Sequence, residues 1–240
     1  MRLVKLVFKP EIAVPMLGVT FASGVSVALV LARIAWTGKL QYAFLVWNLF
    51  LAWMPLLFAV LACDKYRTLS GKHWHFLGLT GAWLVFLPNA PYIFTDLIHL
   101  QSRYFAHFWV DLVLILSCAL TGLILSFLSL YLMQTIVRRV FGNVASWLFV
   151  AAAAGLSSFG IYLGRFLRFN SWDVLFQPVK LYRGIGNWAA DPLVSSTTFV
   201  FPALFATFLF IAYVMLYALT HMKQVHMLSL PQRNQQPSEA

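Results

Sequence analysis

Two short motifs hold most of the residues in this sequence that could do chemistry. In LPNAPYIFTDLIHL, Leu87 to Leu100, the side chains of Asn89, Tyr92, Asp96 and His99 stand out, and Arg103 follows just beyond. In GRFLRFNSWD, Gly164 to Asp173, Arg165 and Arg168 precede Asn170 and Asp173. Carboxylates and an imidazole can move protons, and arginines can clamp a carboxylate or phosphate. On that chemistry Asp96, His99 and Asp173 are the candidate acid–base residues. Asn89, Tyr92, Arg103, Arg165, Arg168 and Asn170 are the candidate substrate contacts. No Ser or Cys is well placed as a nucleophile; Ser171 is the nearest, and a turn explains it more simply.

The elements that must position these residues are membrane helices. At 240 residues, 61% hydrophobic, 10% charged and a mean hydropathy of +0.80, the chain could not cover a water-facing surface with polar groups. A spanning helix needs about 20 mostly apolar residues. Apolar windows near 13–34, 40–62, 74–100, 108–134, 144–167 and 197–220 meet that length, the third of them broken. The expected fold is therefore an all-α polytopic bundle of about six spans. It forms one integral membrane domain over 1–230, with a disordered tail at 231–240. The basic run Arg2, Lys5 and Lys9 precedes a first apolar stretch too long for a signal peptide, so an uncleaved first span is expected.

The break is at Pro88–Pro91. From Trp74 to Leu87 a helix covers only about 21 Å, short of a hydrocarbon core of roughly 30 Å. Each proline removes a backbone donor, and freed carbonyls must meet protein or water rather than lipid. Pro91 suits the first position of a second helical piece, with the Asn89 side chain close enough to help cap it. In an α-helical piece Tyr92, Asp96, His99 and Arg103, spaced 4, 3 and 4 apart, fall within an arc of about 60°. Ionisable groups at membrane depth are usually functional. A kinked helix with solvated charges is the plainer alternative.

GRFLRFNSWD closes the fifth span. In a six-span bundle the ends of spans 1, 3 and 5 share a side, so this motif faces the same compartment as the break. Upstream, the alanine run and Gly160-xxx-Gly164 permit close helix approach and place the fifth span at the centre of the bundle. Asp111, four residues after His107, and Asp191 join Asp96 and Asp173 toward the same side. The segment VLFQPVKLYRGIGNW after Asp173 mixes apolar residues with Lys180 and Arg183, as an interfacial stretch would.

Charge sets the expected orientation and excludes some partners. The net charge is +10, but the basic residues are spread over loops rather than gathered with aromatics on one face, so nucleic acid is not the expected partner. With the N-terminus inside, ten of the 17 Lys and Arg lie at cytoplasmic ends and seven at outer ends, favouring two cytoplasmic termini. Cys63 and Cys118 read as small core residues, and no cofactor motif is present. Asp96 with His99 and His107 with Asp111 have metal-ligand spacing, but the nearby arginines oppose a cation. His73 and His75 lie at the opposite end of the third span from His99, which opposes paired haem ligands.

LPNAPY followed by TDLIHL, and later GRFLRFNSWD, resembles the bacterial multi-pass membrane family catalogued as domain of unknown function 1361. The resemblance runs from the second span to the sixth and implies a bacterial integral membrane protein of the cytoplasmic membrane. It carries no activity over. From the residues, an outer-face site for an anionic lipid or lipid-linked substrate, in contact with membrane lipid, comes first. A small-solute transporter built on the broken helix and a non-catalytic assembly factor locked by an Asp–Arg network stay open beside it.

Overall fold

The computed structural model describes residues 10–67, 73–100, 105–171, 173–190 and 195–221. Arg103, Asp191 and the 231–240 tail lie outside the described residues. Apolar runs with few polar interruptions fold here into helices, and among the described residues there is no strand. In chain order these are α1 (Pro10–Thr37), α2 (Phe44–Arg67), α3 (His73–Phe86), α4 (Asn89–Tyr92), a 3₁₀ segment (Ile93–His99), α5 (Phe105–Phe166), α6 (Asp173–Phe176), α7 (Pro178–Ala190) and α8 (Ser195–Thr220).

Among the described residues, five helical stretches are long and apolar enough to cross a membrane: Ala13–Thr37, Phe44–Tyr66, Trp74–His99, His107–Phe166 and Phe199–Thr220. The 62 residues of α5 would reach about 93 Å as a straight rod, roughly three bilayer cores. It is instead a hairpin. Gly142 sits at φ 87, ψ −178, a conformation reached almost only by glycine, and divides α5 into a first arm, 105–141, and a second, 143–166. Trp83 shows the reversal: its indole N–H donates to Ser129 Oγ at 3.3 Å while its ring stacks on Phe149, in the other arm. The described residues therefore make six apolar helical passes, and helix continues through Arg138 and Arg139 up to the turn itself.

Lipid tails are as apolar as the helices, so packing and interhelical hydrogen bonds hold such a bundle together. The α5 hairpin is the hub: most of its most apolar stretch is buried, against a third or less in each of the other spans. Its first arm meets α1 through Ser26 and Thr121, and α2 through a core of Leu45, Leu49, Leu56, Ile115 and Leu125. α8 crosses both arms. Tyr213 O–H donates to Gln134 Oε1 in the first, and Ser158 Oγ in the second donates to the Pro202 carbonyl. At the end carrying the Gly142 turn, Arg138 donates to Tyr217 Oη at 3.1 Å and Trp147 packs edge-on against the same ring.

The broken span lies between the two arms of α5, and glycines admit it. A Cβ at Gly122 would collide with the Ala90 carbonyl oxygen, and one at Gly160 with the Pro88 ring. At Gly164 it would come within 3.2 Å of the Tyr92 ring. Overpacking of this kind costs about 1–3 kcal/mol. Gly122→Ala and Gly160→Ala should therefore lower the thermal midpoint of the detergent-solubilised protein by several degrees. Gly155→Ala, where a Cβ meets nothing within 4 Å, should leave it unchanged.

Candidate functional site

The segment after the break is not the α-helix that spacing suggests. α3 ends at Phe86, Leu87 and Pro88 make the turn, and α4 is a single turn in which Pro91 stands third rather than first. Pro91 has no N–H to offer the Leu87 carbonyl, which accepts from Ala90 N–H at 3.4 Å. The Asn89 side chain makes no cap, because its amide is held elsewhere. From Ile93 the chain tightens into a 3₁₀ helix, where residues three apart eclipse. Asp96 and His99 therefore stack in one column above the buried Ile93, and Tyr92 reaches the same group from the α turn below.

Asp96 is the centre of the group, with a side chain only 2% exposed. Its Oδ1 accepts from Arg165 Nη2 at 2.9 Å, and its Oδ2 from Asn48 Nδ2 of α2 at 2.8 Å. Arg165 also donates through Nε to Thr95 Oγ1 at 3.1 Å and lies 5.0 Å over the Tyr92 ring. Its Nη1 is 3.4 Å from His99 Nε2. His99 Nε2 stands 4.0 Å from the Asp96 carboxylate, and its side chain is 47% exposed. Both carboxylate oxygens are thus engaged, whereas the imidazole is accessible.

The two sequence motifs meet in this group. Besides the ion pair, Asn89 Nδ2 donates to Ser171 Oγ at 2.9 Å, and the Ser171 hydroxyl lies 3.2 Å from Asn89 Oδ1. The second arm of α5 ends through Arg168, whose φ of 58 lies in the left-handed region, and Phe169 N–H closes back on the Leu163 carbonyl at 3.1 Å. Asp173 is buried and accepts the Asn170 N–H at 2.7 Å, fixing the turn that carries Ser171. Arg168 is exposed and among the described residues makes no hydrogen bond or ion pair.

Around the group is a cleft of about 520 Å³, within the range of small-molecule sites. Asn89, Tyr92, Asp96, His99, Arg165, Asn170 and Ser171 line its polar end; Arg168 and Asp173 do not line it. Trp47 and Leu51 of α2, Leu84 of α3, and Leu156 and Leu163 of α5 line the rest. Trp47, Leu84 and Leu156 on that wall are themselves exposed, so the apolar part of the cleft is open rather than sealed inside the bundle. Leu156 precedes Arg165 by nine residues, so the apolar part runs about 13 Å inward from the ion pair.

Sequence reasoning missed Asn48, Thr95 and Phe169 as parts of this site. Asn48 had a signal, since it is the one polar side chain within FLVWNLFLAW and membrane helices use Asn as interhelical glue. His107 and Asp111, paired by spacing, belong to a separate cluster. Arg33 grips Asp111 with Nε at 2.6 Å and Nη2 at 3.2 Å, and Tyr42 O–H donates to Asp111 at 2.9 Å. Burial, and then the Asp111 carboxylate, push the Tyr42 phenol up to about 12, so it is a neutral donor at ordinary pH. This cluster fastens α1 to the first arm of α5.

The profile of the family described as "Protein of unknown function (DUF1361)" matches residues 47–214, a span that contains both motifs and the whole α5 hairpin. Comparison with curated proteins and with solved structures finds no match.

The geometry separates the two arginines. A left-handed non-glycine residue costs about 1–2 kcal/mol, so Arg168→Gly should keep or raise the thermal midpoint. Arg165→Gln strands a buried carboxylate and should lower stability by about 3–5 kcal/mol. A midpoint lowered as much by Arg168→Gly would mean that the Arg168 guanidinium holds the turn.

Proposed function

This chain belongs to the DUF1361 family, and from the geometry of its cleft we propose that it binds an anionic lipid or lipid-linked molecule and acts on the polar group. The open apolar wall carries this reading. A water-soluble ligand would not need an open wall of Trp47, Leu84 and Leu156 within the apolar spans. A lipid-borne one would lay its hydrocarbon along that wall and bring its head to the polar end. There Arg165 retains N–H groups beyond those given to Asp96 and Thr95, and His99 stands beside them. The Arg165 guanidinium can hold an anionic head by charge-assisted hydrogen bonds, with the His99 imidazole beside it.

In this mechanism Arg165 anchors, Asp96 and Asn48 fix the anchor, and His99 is the acid–base group. His99 is accessible and sits within reach of a ligand held by Arg165 Nη1, the geometry that proton transfer requires. The site end would be the outer face of a bacterial cytoplasmic membrane, with Lys65, Arg138 and Arg139 at the opposite, cytoplasmic end. Transport is supported less well, because the cleft lining reaches no residue near the Gly142 turn.

Lipid that stays with the protein on purification from native membranes tests the reading by mass spectrometry. Narrowing the opening with Leu84→Trp and Leu156→Trp should reduce the retained lipid at least about tenfold, roughly 1.4 kcal/mol, with an unchanged thermal midpoint. Retention equal to that of the unaltered protein would contradict a cleft-bound lipid. His99→Ala should retain a species of different mass, the unprocessed one. Identical species from both proteins would leave binding in place and remove the acid–base role.

A further inference from the structure

A second recess lies beside the cleft, and nothing above assigns it a ligand. It measures about 670 Å³ and is lined by Leu167, Phe169, Phe176, Val179, Lys180 and Arg183 among others. Its floor is the turn that ends α5, and its side is the start of α7. Lys180 and Arg183 are three apart and share a helix face. Both are exposed, and among the described residues neither forms an ion pair with a carboxylate. The nearest carboxylate in sequence, Asp173, is buried and held by the Asn170 N–H. The Lys180 ammonium stands 6.0 Å from the Phe169 ring, which also lines the recess.

The apolar residues alongside are as informative as the charges. Phe176 and Val179 line the recess beside Lys180 and Arg183, and both are exposed. Two cations with no ion-pair partner among the described residues, flanked by exposed aromatic and aliphatic side chains, match a phospholipid, with its phosphate above its acyl chains. Free phosphate would use the cations and leave the apolar side chains unexplained.

We infer that the recess between the end of α5 and α7 is a headgroup site for an anionic phospholipid of the surrounding leaflet, with Lys180 and Arg183 on the phosphate and Phe176 and Val179 among the chains. This site does not depend on what the cleft binds. Phe169 lines both cavities, and Leu181 on the same helix lines the cleft. A Cβ at Gly184 would come within 2.9 Å of that Phe169 ring, so α7 is seated closely on it. A lipid in the recess therefore steadies the wall of the cleft.

Photo-crosslinking in nanodiscs tests this, with diazirine-bearing phosphatidylglycerol or phosphatidylcholine as the probe and labelled peptides located by mass spectrometry. Phosphatidylglycerol should label 167–184 more strongly than phosphatidylcholine does. The double variant Lys180→Gln/Arg183→Gln should lower that labelling by roughly tenfold to thirtyfold, and labelling of the cleft segments 44–51 and 156–164 should persist. Equal labelling of the recess by the two lipids, or labelling unchanged in the variant, would overturn the proposal. So would displacement of the lipid by excess inorganic phosphate, which would mark a free-anion site. Loss of labelling at 44–51 alone would count against the cleft reading and leave this one standing.

Discussion

The bundle depends on a close approach that only glycine permits. Pro88, Ala90 and Tyr92 press on the α5 hairpin where Gly160, Gly122 and Gly164 have no side chain. With larger residues there the broken span would stand off from both arms, and Asp96 could not reach Arg165. The break itself needs the same contact. A chain interrupted by two prolines exposes backbone groups that lipid cannot satisfy, and seating it between two helices keeps those groups among protein. Packing and polarity are therefore one problem with one solution in this fold.

Within that frame the buried ion pair has two consequences. It ties the third crossing to the end of the fifth, and with Asn48 it draws in α2, so three elements are fixed about one carboxylate. It also leaves the neighbouring groups in different states of use. Asp96 is buried and bonded through both oxygens, Arg165 has donors left over, and His99 is half exposed. An arrangement meant only as a lock needs neither an accessible imidazole nor a cleft beside it. The Arg33–Asp111–Tyr42 cluster, where Asp111 and Tyr42 are buried, is what a plain lock looks like in this chain.

Much of this was legible in the sequence, for physical reasons that can be named. Apolar run length gave the six crossings, and the paired prolines gave the break. The shared sidedness of odd-numbered span ends put the two motifs in one compartment, where the structure joins them through Arg165–Asp96 and Asn89–Ser171. The rest turned on local geometry that residue types do not determine. Tightening to a 3₁₀ helix aligns Asp96 with His99 and changes the face expected from α-helical spacing. Arg168, expected beside Arg165, is turned outward by a left-handed residue that sequence rarely marks unless it is glycine. Asn48 donates from a different helix, and no spacing rule within one motif could have found it.

The central claim is that Asp96 and Arg165 act on one another directly, across 69 residues of sequence. A double-mutant cycle on unfolding stability, using Asp96→Asn, Arg165→Gln and the double variant, measures that most directly. The account predicts that each single change is strongly destabilising and that the double variant loses less than their sum by about 1–3 kcal/mol. Losses that add to within about 0.5 kcal/mol would contradict it, because two residues that do not touch would behave in that way.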